Sequence, residues 1–413
     1  MTRAAALGIG SSGRDMNGRG DWLRSATLAM AVDTVGVLPV FLTGALAVQL
    51  REDIGLEISS LGLIYTSYFV AAALLSARLG RWSERAGPEM ALRLGTATYA
   101  VAFLGIAILV DSPLVLAGFV LLSGIGTSMT RTASSVLVAR KVPPGRQGLA
   151  FALKHCSIPV GTLLAGISVP TIALTVGWRW AYVAAAIVTS AVFVALPRHG
   201  VERVAPREGG RADLTMGVLL VAAISFALGA AAASSLGAYT VSTAVAAGID
   251  EGLAGVLVAM GSVVGIAARL TIGHWSDRRP GSQLDLVYWL LGIGGIGFAM
   301  LGLADDVVMW VAVPLAFATG WAWFGSYNLA MIRLNPVAPG AAVGVTQTGA
   351  FVGAIVGPAG LGFLADHFSF RTAWFAAAAA SIASAAMIFV IRRFVLREPS
   401  VRRMRVVGDA VEG

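Results

Sequence analysis

Gly80-Arg81-Trp82-Ser83-Glu84-Arg85 and Gly273-His274-Trp275-Ser276-Asp277-Arg278 are two copies of one pattern, 193 positions apart. Each copy closes a long apolar run and is expected to open a short polar loop. The correspondence continues beyond them. Arg140 and Pro143 match Arg333 and Pro336 at the same spacing, Gly161 matches Gly353, and Arg179-Trp180-Ala181 parallels Arg371-Thr372-Ala373. A chain built of apolar stretches that repeats in this way predicts two similar halves embedded in a membrane, with a substrate site between them at mid-depth.

Composition restricts the class further. The 413 residues are 57% hydrophobic and 13% charged, against about 25% charged in ordinary soluble domains. Mean hydropathy is +0.80, with 50 glycines. A bilayer-spanning helix needs about 20 mostly apolar residues, and the chain supplies such runs repeatedly. A net charge of +8 and a pI near 10.2 do not signal nucleic-acid binding here. The basic residues fall in alternate loops between apolar runs, as in the cytoplasmic loops of membrane proteins. Cys156 is the single cysteine, which excludes an intrachain disulfide. One cysteine beside His155 makes no metal site, and no cofactor is expected.

Twelve spans are expected at 25–49, 58–80, 91–110, 113–139, 147–172 and 178–196, then 215–244, 252–275, 284–304, 307–333, 341–365 and 373–393. Of 30 Lys and Arg residues, Arg51, Arg179 and Arg371 fall in loops on one side and nearly all the rest on the other. Both termini are therefore expected in the cytoplasm, with the chain in the cytoplasmic membrane. The fold class is all-α integral membrane, two parallel six-helix repeats. The expected divisions are a disordered tail over 1–24, bundles over 25–196 and 215–393, a cytoplasmic linker over 197–214 and a tail over 394–413.

The repeated pattern resembles the loop motif that the major facilitator superfamily carries between helices 2 and 3 and again between helices 8 and 9. Gly80, Glu84, Arg85 and Gly87 carry it in the first copy, and Gly273, Asp277 and Arg278 in the second. The resemblance implies alternating access and a gating role for the motif residues, the acid and arginine latching helices that separate and rejoin. It also implies a central cavity lined by helices 1, 4, 7 and 10, with 5 and 8 beside it. Two family patterns are missing. The usual helix 4 arginine would fall at Val120, and Ile158-Pro159-Val160-Gly161 stands where drug antiporters end helix 5 in Gly-Pro-x-x-Gly-Gly. Pro144 to Gly148, Lys154-His155 and Ile158-Pro159 are similar to the cyanate and nitroimidazole permease branch.

Ionisable residues inside spans are costly and functional by default. Five stand out: Asp33, Arg131, Lys154, His155 and Arg269. Asp33 lies nine residues past Arg24, Arg131 nine before Arg140, Lys154 eight past Arg146 and Arg269 eight before Asp277. At about 1.5 Å of rise per residue, four of them share one layer, about 12–14 Å from the cytoplasmic boundary. Arg131, Lys154 and Arg269 bring three positive charges against Asp33 alone, which is expected to pair with Lys154 or Arg131. Unpaired charge in low dielectric is unfavourable, so the excess points to a small anionic substrate. Arg269 has a simpler alternative in snorkelling to the interface.

The second half faces this layer with neutral groups. Thr346 and Gln347 occupy the positions of Lys154 and His155, and span 10 carries Trp321, Trp323, Tyr327 and Asn328. Substrate binding is assigned to Arg131, Lys154, Arg269, Trp323, Tyr327 and Gln347, and proton coupling to Asp33 or His155. The expected activity is proton-coupled import of a small organic or inorganic anion by a monomer in the lipid bilayer, without nucleic acid. A proton-driven exporter of drugs or metabolites is the rival reading. A sensor that retains a transporter fold is a second. No nucleophile, base or metal cluster suggests an enzyme.

Overall fold

The computed structural model describes residues 12–143, 147–196, 214–278, 283–335 and 339–397. Twelve helices are long and apolar enough to cross a bilayer. In the first half they are α1 (Ser12–Ala45), α2 (Ile58–Ala86), α3 (Pro88–Leu109), α4 (Pro113–Lys141), the interrupted α5 (147–176) and α6 (Trp178–Ala195). In the second they are α7 (Met216–Ala246), α8 (Glu251–Arg278), α9 (Gln283–Leu301), α10 (Asp306–Leu334), α11 (Pro339–His367) and α12 (Phe370–Arg397). Among the described residues there is no β-strand.

Two of these helices are interrupted. α5 consists of Gln147–His155 and Ser157–Ser168, then a wide π-turn over Val169–Ala173 before the chain ends its passage at Val176. Pro159 lacks an N–H, so the helix cannot bond back to His155 in the ordinary way. The chain tightens at Cys156 instead, whose N–H reaches Leu153 O at 3.0 Å. α10 breaks between Ala316 and Ala322, where a π-turn over Ala316–Gly320 is followed by Trp321 at φ −120°.

Two expectations need correction. α1 begins at Ser12, inside the stretch expected as a disordered tail. No proline interrupts 12–24, so the helix runs on past its apolar span. The repeated pattern is helical rather than a loop, since α2 continues to Ala86 and α8 to Arg278. The reversal after α2 falls on the single residue Gly87, at φ 98°, a conformation only glycine adopts without strain. Residues 1–11, 197–213 and 398–413, which hold most of the expected linker and tails, lie outside the described residues.

Within each half, helices approach through small residues. Gly349, Gly353 and Gly357 of α11 lie directly on the carbonyls of Ala223, Ala227 and Ala231 in α7. Where lipid is as apolar as the side chains, such close backbone approach is the main source of helix association. The halves meet in the same way. A Cβ on Gly62 of α2 would fall 2.6 Å from Pro358 O in α11, and one on Gly166 of α5 would fall 2.7 Å from Gly255 O in α8.

Candidate transport site

The contacts between halves are concentrated on the side away from the chain ends. Tyr65 Oη donates across the halves to Gly237 O at 2.9 Å, and Tyr239 Oη to Ile58 O at 3.2 Å, while the same Tyr239 hydroxyl lies 2.8 Å from Pro358 O of its own half. Thr66 Oγ1 donates to Ile355 O at 2.8 Å, and the Ser59 N–H to Asp366 Oδ2 at 2.6 Å. Nearer mid-depth, Thr162 and Ser262 share a 2.7 Å hydrogen bond. Phe41 of α1 meets Trp321 of α10 edge-on at 5.7 Å. The ionisable layer lies beyond that aromatic pair, toward the termini. There the halves approach through Arg131, whose guanidinium sits 5.4 Å from the centroid of Phe351 in α11.

α1, α4 and α5 build an ion cluster inside the first half. Lys154 is 3% exposed. Its Nζ lies 3.3 Å from Asp33 Oδ2 and donates to Ser135 Oγ at 2.6 Å and to Arg131 O at 3.5 Å. Ser134 Oγ completes the arrangement by donating to Asp33 Oδ1 at 2.9 Å. Ser134 and Ser135 follow Arg131 by three and four residues, which places all three along one flank of α4. Of the two partners open to Asp33 on sequence grounds, Lys154 takes the position. Its donors are directed into the first half rather than the space between halves.

Arg131 and His155 are exposed although each stands inside a membrane span. Arg269 is half-buried and does not extend toward the interface. Its Nη2 donates at 3.0 Å to Trp321 O, and its guanidinium lies 5.8 Å from that residue's ring centroid. The broken turn of α10 exposes this carbonyl. With Asp33 committed to Lys154, neither Arg131 nor Arg269 has an acidic partner among the described residues.

The neutral wall differs from expectation. Trp323 is fully buried, with Nε1 donating to Gly320 O at 2.9 Å and its ring packed on Phe226 and Phe324. Tyr327 is equally buried and donates to Ala222 O at 2.6 Å. Both belong to the core of the second half, not to a substrate wall, because their polar atoms satisfy carbonyls of their own bundle. Gln347 is half-buried and meets Asn328 at 3.5 Å. Gly273 is half-buried in open surroundings. Gly80, Glu84, Arg85, Asp277 and Arg278 lie on described helix backbone, and the side chains of the last four lie outside the described residues. Phe41, Ser134 and Phe351 were not singled out by sequence. A serine three residues after an intramembrane arginine is the one signal that points to any of them.

Two facing six-helix bundles, each carrying an arginine inside a membrane span, define a membrane carrier. The chain belongs to the major facilitator superfamily, whose family model matches residues 26–338. It is 24% identical over 384 residues to the uncharacterized MFS-type transporter MT3072 of Mycobacterium tuberculosis (strain CDC 1551 / Oshkosh), covering 87% of this chain and 83% of that one. A local match to the putative metabolite transport protein YwtG of Bacillus subtilis (strain 168) is 25% identical over 131 residues, 32% of this chain and 28% of YwtG. Among solved structures, a bacterial homologue of the human lysosomal transporter Spinster, inward-facing and occupied, superposes with a TM-score of 0.70 at 13% identity, covering 89% and 96% of the two chains. The nucleoside transporter NupG gives 0.70 at 14% identity, covering 88% and 99%. The protein is a multi-pass membrane transporter.

Proposed function

We propose that this transporter carries a small anion, organic or inorganic, into the cell by proton-coupled alternating access. One observation carries the reading. Arg131 and Arg269 come from opposite halves and both stand inside membrane spans, and no carboxylate among the described residues neutralises either. Guanidinium groups are weakly hydrated and suited to forked contacts with carboxylates and oxyanions. An anion between them supplies the missing charge and draws the halves together, which is the differential affinity that a conformational cycle requires.

The proton is assigned to His155, which is exposed inside a membrane span, and to Asp33, held behind Lys154. Neutralising Asp33 frees Lys154 from its ion pair, so proton and anion act on one connected group. The similarity of the α5 segment to cyanate and nitroimidazole permeases belongs to the same reading. The excess of Lys and Arg in alternate loops supports a reading with both termini in the cytoplasm and the chain in the cytoplasmic membrane; the proposed carrier acts as a monomer. In this orientation the space between the halves faces the cytoplasm. Export of cationic drugs fits less well, since two uncompensated arginines repel such cargo.

Purified protein in proteoliposomes tests the proposal directly. Under an inward proton gradient, small carboxylates or oxyanions accumulate, and Arg131→Ala abolishes uptake while the protein stays monodisperse. Undiminished uptake by that variant refutes the anion site.

A further inference from the structure

Trp321 stands where the charged space meets the closed side of the molecule. Its side chain is 4% exposed and lies edge-on to both Phe41 at 5.7 Å and Phe317 at 5.6 Å. Phe41 occupies a slot left by two glycines. A Cβ on Gly161 of α5 would come within 3.1 Å of its ring, and one on Gly237 of α7 would overlap it. Four helices from both halves thus converge on one aromatic pair. Beyond the pair is a small cavity whose lining includes Phe41, Thr162, Gly237, Thr240 and Val258. On the near side stands Arg269, donating to the carbonyl that Trp321 exposes at the break of α10.

We propose that Phe41 and Trp321 form the gate of the transport path, and that Arg269 is the positioning residue linking this gate to cargo. An anion bound by Arg269 competes with the Trp321 carbonyl for the guanidinium. The segment after the π-turn is then released, and Trp321 moves off Phe41. The break in α10 supplies the freedom for this movement, since a continuous helix would hold the Trp321 carbonyl in its own ladder. The gate stands on packing alone. The coupling rests on the anion reading above.

The test uses the full-length protein with Cys156→Ser and a reporter thiol from Thr240→Cys, a position 1% exposed on the far side of the pair. A water-soluble maleimide labels this thiol slowly while the gate is shut. Phe41→Ala and Trp321→Ala are expected to raise the rate by about tenfold, the scale of one lost aromatic contact, whereas Trp321→Phe retains protection. Should the alanine variants aggregate, Phe41→Leu and Trp321→Leu carry the comparison. Unchanged labelling in monodisperse variants overturns the gate.

Nitrate, phosphate and benzoate probe the coupling. An anion that binds by calorimetry is expected to accelerate labelling, and Arg269→Gln to be fast without it and indifferent to it. Binding without any change in labelling overturns the coupling and leaves the anion reading intact. If none of the three binds, the anion reading and the coupling fail together for these probes, and the labelling of the Phe41 and Trp321 variants still decides the gate.

Discussion

Matching positions of the two halves hold opposite chemistry. In the first half Asp33 bridges to Lys154, and Arg131 of the adjoining helix gives its carbonyl to the same ammonium. The positions 193 residues further on are Phe226 and Phe324, whose rings meet edge-on at 5.3 Å. Thr346, in the place of Lys154, is fully buried and bonds back to Ala342 O at 3.2 Å. A shared backbone plan therefore surrounds an ion cluster on one side and an aromatic cluster on the other. An ion cluster changes its contacts when a proton or an anion arrives; an aromatic cluster has no such response. The first half is the responsive element, and the second is a platform that contributes one charge, Arg269, at the break of α10.

The comparison is broken most severely at Lys154. A buried pair that loses one partner leaves an uncompensated charge, at a cost of about 3–5 kcal/mol. Lys154→Ala is accordingly expected to lower thermal stability sharply and to reduce folded yield, an effect read by melting in detergent. Combining Asp33→Asn with Lys154→Met removes both charges and is expected to recover most of the stability while abolishing proton-linked accumulation. A fully stable Lys154→Ala protein would mean that the pair does not hold the first half together.

Arg131→Ala removes an exposed side chain, so the fold is retained and the loss falls on cargo. A charged hydrogen bond contributes about 1.5–3 kcal/mol, which corresponds to roughly ten- to hundredfold weaker anion binding by calorimetry. An affinity within a factor of two of the parent would remove Arg131 from the site.

The contrast between Lys154 and Arg131 marks the limit of what the sequence discloses. Twelve spans and their pairing into halves are legible because apolar runs and basic loops alternate with a fixed period. Residue counting also yields the expectation of a common depth for the charges. Which cation Asp33 takes is not legible. That depends on how α4 and α5 rotate about their axes, and Ser134 and Ser135 reveal the rotation only once the helices are packed. The break in α10 is hidden for a similar reason. Pro314 lies inside the intact segment Asp306–Leu315, while the disrupted turn begins two residues later and is stabilised by Arg269 from another helix. The burial of Trp323 and Tyr327 is not legible either, because an aromatic residue on a cavity-lining helix has two faces available, and sequence spacing alone does not select one.

The closed side of the molecule responds more weakly, through neutral bonds. Tyr65 and Tyr239 act reciprocally, each donating from one half to a backbone carbonyl of the other. Removing one such hydroxyl costs on the order of 0.6–1.5 kcal/mol. Tyr239→Phe is therefore expected to shift the population toward the opposite-facing state by roughly three- to tenfold. Distance measurements between spin labels near Ser59 and Asp366 read the change. An unaltered distance distribution would place the energy of closure in the glycine contacts at Gly62 and Gly166 instead.

The smallest effect on cargo belongs to the aromatic platform. Trp323→Phe keeps a ring against Phe226 and loses one hydrogen bond, from Nε1 to Gly320 O. Stability is expected to fall by about 1 kcal/mol, with anion affinity unchanged within error, because the side chain is fully buried away from both arginines. A selective loss of affinity with stability preserved would reverse the assignment and return Trp323 to the substrate wall. Such a result would also make the second half a direct reader of cargo, and the division between a responsive half and a fixed one would no longer hold.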